Sequence, residues 1–293
     1  MENTLLSRII WGIMRLLDWN QSASETAALI HKVLELGITS FDHADIYGKF
    51  RVEEAFGKAL AEASLRREDY QIVTKTGIRF PSDVYPNIYL QHYNTSKDHI
   101  LEQARRSVQL LGCEYLDVLL IHRPDPLTDA DEVADAFQIL KSEGTVRYFG
   151  VSNFTPYQFN LMQSRLDFPL VTNQVRFSIL RSEVLFDGTL DQAQELCRPP
   201  MIYSPVVGGE LFTGAGERHE AVRAMLDKVA KAHSTSPDVI AYSWILAHPS
   251  QTLPIVGSGK LERIRAAVSA LDVTLDRQQW FSLLSAARGF DVP

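Results

Sequence analysis

The chain has 293 residues, 45% of them hydrophobic and 22% charged, with a net charge of −7 at pH 7. That balance describes a folded globular protein and excludes disordered or fibrous classes; together with a pI near 5.6 it argues against a nucleic-acid partner, which normally needs a basic face. No apolar run approaches the roughly 18 residues that span a bilayer, and the start of the sequence lacks the pattern of an export signal, so no membrane association and a cytoplasmic location are expected.

Short β-branched apolar runs bounded by turn residues read as buried strands. They fall at 8–14, 39–44, 71–75, 116–122, 148–152, 170–174, 200–204 and 253–257. Helical patterns lie near 22–36, 51–63, 97–111, 131–143, 156–165, 187–197, 220–232 and 260–270, with two more at 237–247 and 276–287. Strand alternating with helix predicts an α/β fold with a parallel sheet. Eight such units predict one (β/α)8 TIM barrel over residues 1–293. Two connections are long for a barrel, and long loops in compact domains usually carry function. Residues 77–96 read as a substrate-pocket wall, and residues 205–219, with four glycines, as a flap over a cofactor. Cys113 and Cys197 stand in helical contexts without a CxxC or Cys/His spacing, so they read as reduced thiols, and no metal is expected.

The chemistry concentrates where apolar runs end. Asp42 and Tyr47 lie in "TSFDHADIYG", Lys75 in "QIVTKTG" and His122 in "DVLLIHRPD". Barrels keep their catalytic residues at the C-terminal ends of several strands. A tyrosine is too weak an acid at neutral pH unless a nearby ammonium favours its phenolate. Lys75 can supply that charge, and Asp42 can keep Lys75 charged and positioned. His122 can orient a carbonyl oxygen. Together they form a tuned proton donor beside a carbonyl-binding point, which carbonyl reduction requires once a hydride source is present.

The stretches "FDHADIYG", "TKTG", "LLIHRPDP", "FGVSNF", "TNQVRFS", "IYSPVVGG" and "LPIVGSGKLERI" run through nearly the whole chain. In that order they resemble the aldo-keto reductase superfamily, and most of all its bacterial YdhF-like oxidoreductase branch. The resemblance implies that Asp42, Tyr47, Lys75 and His122 are the family's catalytic tetrad, with Tyr47 as general acid. It also implies that Ser152 and Asn153 contact the nicotinamide carboxamide with Gln174 beside them, that Tyr203 stacks on the nicotinamide ring, and that Ser204, Val206 and Gly208 follow the pyrophosphate. Gly12 and Met14, at the end of the first strand, join the expected cofactor contacts.

No strand-borne GxGxxG opens a helix, so a Rossmann site is not supported. Barrels bind phosphate instead at the loops after the last two strands, beside a helix N-terminus. Here that place reads "GSGKLERIR": Gly257 and Gly259 permit close backbone approach, Ser258 and Lys260 offer donors, and Arg263 and Arg265 add charge. Lys260 and Arg263 favour NADPH, because a guanidinium pairs bidentately with a 2′-phosphate. The sequence departs from the commoner family pattern at Gly257, where many relatives carry a basic residue, and at Ala266 and Ala267, where they carry an acidic-Asn pair next to the adenine.

The expected activity is NADPH-dependent reduction of an aldehyde, ketone or dicarbonyl, a small-molecule substrate. Trp19, Tyr85, Tyr89, Arg123 and Phe154, together with Met14, Tyr47 and His122, are the candidate substrate contacts, and their aromatic character suits a hydrophobic or aromatic carbonyl. The rival reading is an NADPH-binding redox-sensing module with little turnover; a Schiff-base lyase using Lys75 is disfavoured because a partnered Asp42 keeps the amine charged. No interface pattern stands out, and a monomer is expected.

Overall fold

The computed structural model describes residues 5–291. Among them, eight parallel strands form a closed barrel in the order β1-β8-β7-β6-β5-β4-β3-β2. They are β1 (Ile10–Gly12), β2 (Ser40–Asp42), β3 (Gln71–Thr76), β4 (Leu116–Ile121), β5 (Val146–Ser152), β6 (Leu170–Arg176), β7 (Met201–Tyr203) and β8 (Leu253–Val256). The principal helices are α1 (Ala23–Glu35), α2 (Val52–Ala63), α3 (Lys97–Leu111), α4 (Ala130–Ser142), α5 (Pro156–Gln163), α6 (Thr189–Glu195), α7 (Glu217–Ala232), α8 (Pro237–Leu246), α9 (Leu261–Ser269) and α10 (Arg277–Arg288). The chain divides into two compact units at the Gln174–Val175 bond.

In the first unit, β1 to β6 pair in parallel in chain order, with Gly12 opposite Asp42 and Ser152 opposite Gln174. β4 is buried at every position, as strands of a parallel sheet are when helices cover their outer face. Helix starts are written locally: Ser22 and Glu25 form a reciprocal capping box on α1, and Thr155 and Gln158 do the same on α5 with Pro156 at its first turn. Two glycines are steric requirements. A Cβ on Gly150 would lie 2.7 Å from the Thr172 carbonyl oxygen on β6, and one on Gly57 would lie 2.2 Å from the Leu110 carbonyl oxygen on α3.

Residues 77–96 form a long loop with a short hairpin at its base. Ile78–Arg79 and His92–Tyr93 pair as an antiparallel hairpin whose strands are too short to register as apolar runs. The two cysteines stand just past helix ends rather than within helices: Cys113 is buried after Gly112, and Cys197 is exposed with φ of 51°.

The second unit packs around α8, which is buried from Val239 to Ile245. Its Trp244 stacks on Trp280 of α10 at 4.8 Å, and each indole N–H donates to the other residue's carbonyl at 2.9 Å. The 205–219 segment is partly ordered by a helical turn at Glu210–Thr213, and α7 starts at Glu217, earlier than the periodicity suggests. Among the described residues, no helix is long and apolar enough to cross a membrane.

Candidate active site

Asp42 closes β2, Lys75 lies near the end of β3 and His122 directly follows β4, so three strand ends present their side chains together; Tyr47 arrives on the turn after β2. Lys75 is completely buried. Its ammonium donates to Asp42 Oδ1 and Oδ2 and to the Tyr47 hydroxyl, each at 2.9 Å, and to the His43 carbonyl at 2.6 Å. Burial opposes the charge, but Asp42 and Tyr47 outweigh it and hold the Lys75 pKa above its ordinary value. The His122 ring stands edge-on to Tyr47 at 6.1 Å between centroids. Burial, with Lys75 and Arg123 adding to it, pushes the imidazole pKa well below 6.5, so His122 is neutral at physiological pH. All four tetrad candidates therefore meet, as the strand-end pattern implied.

The adjoining candidates join the same network. Gln174 Nε2 donates to Asp42 Oδ1 at 2.7 Å. The Ser152 hydroxyl donates to the Gln174 carbonyl at 2.9 Å and accepts from Asn153 Nδ2 at 2.8 Å, while Asn153 also reaches the His122 carbonyl at 3.4 Å. Asn153 sits in the left-handed region at φ of 62°, a conformation asparagine tolerates.

The pocket candidates divide. Trp19 is half-buried and stacked on the buried Trp11 at 5.5 Å. Arg123 is half-buried beside His122, whereas Met14 and Tyr89 are exposed. Tyr85 is engaged in packing, with Arg79 over its ring at 3.7 Å and Phe50 edge-on at 4.8 Å. Phe154 is buried, at 4% exposed. Asp45, Glu53 and Thr76, a buried polar group on the outer side of β3, went unnoticed in the sequence. The available signal was Thr74-Lys75-Thr76 on a buried strand: alternation turns the threonines away from Lys75, and buried hydroxyls require partners.

In the second unit, Tyr203 ends β7 half-buried. The turn after it runs through left-handed backbone at Ser204 (φ 55°), Val207 (50°), Gly208 (66°) and Gly209 (104°). Ser258 Oγ accepts from the Lys260 N–H at 3.1 Å just before α9, and Lys260 and Arg263 are exposed. Of the two alanines at the expected adenine positions, Ala267 is wholly buried.

A model of the Aldo/keto reductase family matches residues 8–287. The chain belongs to this family. As an aldo-keto reductase it is an oxidoreductase acting on small molecules, in a family that generally uses NAD(P)H. This aldo-keto reductase is 50% identical over 288 residues to the oxidoreductase YdhF of Escherichia coli strain K12, covering 98% of this chain and 95% of that protein. It is 40% identical to the 6-dehydroglucose reductase of Agrobacterium fabrum, covering 98% of this chain and 96% of that protein. Among solved structures, it resembles the thermostable aldo-keto reductase Tm1743 in complex with the inhibitor epalrestat, with a TM-score of 0.78, 27% identity, and coverage of 97% of this chain and 95% of that one.

Proposed function

We propose that this aldo-keto reductase uses NADPH to reduce an aldehyde, ketone or dicarbonyl to an alcohol, with Tyr47 as the proton donor. The observation that carries this reading is the buried Lys75 ammonium, held 2.9 Å from both the Tyr47 hydroxyl and the Asp42 carboxylate. A cation at that distance stabilises the phenolate left after proton transfer. Asp42 keeps the cation charged where burial would otherwise strip its proton. The neutral His122 imidazole provides an N–H to hold the substrate carbonyl oxygen, and Tyr47 then delivers its hydroxyl proton to that oxygen. Lys75 offsets the charge left on Tyr47.

NADPH, when bound, supplies the hydride. The donor set suits it. Ser258, Lys260 and Arg263 gather donors and positive charge at the N-terminus of α9, where backbone N–H groups favour a phosphate, and the Arg263 fork matches a 2′-phosphate. In the second unit, Tyr203 would present an aromatic face to the nicotinamide and the Ser204, Val206 and Gly208 turn would suit the pyrophosphate; in the first, Ser152, Asn153 and Gln174, with Gly12 and Met14, would be the amide-side contacts.

Substrates extend to sugar aldehydes. The relative from Agrobacterium is named for a dehydrogenated sugar, and Arg123 beside His122 can donate to substrate hydroxyls. The test is NADPH oxidation by the wild type and Tyr47→Phe with sugar aldehydes, aromatic aldehydes and dicarbonyls. Turnover by the wild type that disappears in the variant, with NADPH binding kept, supports the reading. Undiminished turnover by Tyr47→Phe overturns it.

A further inference from the structure

Asp45 sits in "DHADIYG" between the two tetrad members of that segment. Its backbone N–H donates to the Lys75 carbonyl at 3.0 Å, and its Oδ2 accepts from the Thr76 hydroxyl at 3.0 Å. One residue is thereby fastened to two consecutive residues at the end of β3. The carboxyl is 3% exposed, and its Oδ1 has no hydrogen-bond partner among the described residues. The Tyr47 N–H donates to the Ala44 carbonyl at 3.1 Å, so the phenol rides on the turn that Asp45 anchors.

We propose that Asp45 is a positioning residue for the reductase reaction: it clamps the Ala44–Tyr47 turn onto Lys75 and Thr76 and so sets the phenol against the ammonium. It acts only through Tyr47 and Lys75, and the inference rests on the reading of Tyr47 as proton donor. The clamp works best uncharged. From α2, the buried Glu53 faces Asp45; its carboxyl accepts from Thr74 at 2.6 Å and from Ser107 at 2.9 Å and feels the charge of Arg106 on α3. From the hairpin, Arg79 faces Asp45, but its guanidinium lies over the Tyr85 and Phe50 rings and, among the described residues, hydrogen-bonds to Gln103 at 3.5 Å. Lys75 spends its ammonium on Asp42, Tyr47 and the His43 carbonyl. Of the nearby imidazoles, His43 is neutral through burial, and His99 of α3 is pushed down to about 4 by burial and Arg79. The balance leaves Asp45 raised to about 8, chiefly by burial and then by Glu53, against the pull of Thr76 and Arg79. Burial pushes the Glu53 carboxyl up as well, against its hydrogen bonds from Thr74 and Ser107, so ionising Asp45 puts an anion against a buried carboxyl and loosens the turn that carries Tyr47.

The experiment compares wild type, Asp45→Asn, Asp45→Ala, Thr76→Val and Tyr47→Phe. It follows NADPH oxidation from about pH 6 to pH 9, with NADPH binding read by fluorescence quenching. Asp45→Ala and Thr76→Val are expected to lower kcat about ten-fold through misplacement of the phenol, with KM for the carbonyl substrate and the NADPH Kd nearly unchanged. Asp45→Asn preserves the uncharged shape, so it is expected to restore most of kcat at neutral pH and to lack the alkaline fall, with a midpoint near 8, that is expected of the wild type. If Asp45→Ala folds poorly, Thr76→Val breaks the same hydrogen bond from the other side and decides the matter. Wild-type kcat in both Asp45→Ala and Thr76→Val, or an alkaline limb in Asp45→Asn identical to the wild type, overturns the positioning role. A silent Asp45 series beside an inactive Tyr47→Phe sinks this inference alone, whereas an active Tyr47→Phe sinks the proton-donor reading beneath it.

Discussion

Gln174 Nε2 donates to Asp42 Oδ1 at 2.7 Å across 132 positions of sequence. The Asp42 carboxylate is thus held from two sides, by the Gln174 amide at the end of β6 and by the Lys75 ammonium on β3. Because the Gln174 carbonyl in turn receives the Ser152 hydroxyl and the Asn153 N–H, at 2.9 Å each, the nicotinamide-contact candidates and the proposed proton-transfer group share one network. A disturbance at Gln174 should therefore be felt at the tetrad.

The first prediction tests that link. Gln174→Leu keeps much of the side-chain volume and removes the amide donor, leaving the ammonium as the partner of Asp42. A hydrogen bond to a charged group is worth about 1.5–3 kcal/mol, and if it steadies the tetrad in the transition state, kcat should fall roughly ten-fold or more. Steady-state kinetics decide. A kcat equal to the wild type would mean that Lys75 alone fixes Asp42.

The second prediction concerns the buried ion pair. Lys75 is 0% and Asp42 4% exposed at the side chain, so Lys75→Met leaves a buried carboxylate without its cation. Breaking one side of such a pair costs about 3–5 kcal/mol. Adding Asp42→Leu should recover most of that stability in urea unfolding, since a well-packed apolar pair can replace a buried ion pair, while reduction stays lost in the double variant. Recovery of activity along with stability would show that the charges serve the fold and not the chemistry.

The fold and the gathering of Asp42, Tyr47, Lys75 and His122 were legible for the same reason. Parallel strands are buried on both faces, so their apolar runs stand out, and a lysine or histidine that ends such a run is conspicuous. Two-residue strands such as Ile78–Arg79 carry no periodicity at all. The partnership of Gln174 with Asp42, and that of Asp45 with Thr76, are tertiary facts set by strand register, and register across a barrel is not written in any one segment.

The third prediction addresses cofactor choice. Arg263 is exposed in the first turn of α9, and Lys260 is exposed at its N-cap. Arg263→Ala should raise the NADPH Kd about ten-fold or more, the loss of a charge-assisted pair, and leave NADH affinity nearly unchanged. The measurement is fluorescence titration with both nucleotides at one ionic strength, because exposed charges are screened by salt. Equal weakening of both would remove Arg263 from the 2′-phosphate.

The last prediction is a stability effect with a pH signature. His43 is fully buried against Phe56, neither ring nitrogen has a hydrogen-bond partner among the described residues, and burial followed by Lys75 pushes its pKa down to about 3. Between that value and the ordinary imidazole value near 6.5, the unfolded chain binds a proton that the folded chain refuses. Stability is therefore full above pH 6.5 and falls as pH drops through this window. His43→Leu removes the penalty and leaves the backbone carbonyl that receives Lys75 in place. Urea unfolding of the variant and the wild type at pH 8 and pH 5 should show the variant gaining about 2 kcal/mol on the wild type over that interval, from roughly 1.5 pH units of linkage. A difference that is the same at both pH values would show that His43 takes up its proton in the folded state as readily as in the unfolded chain.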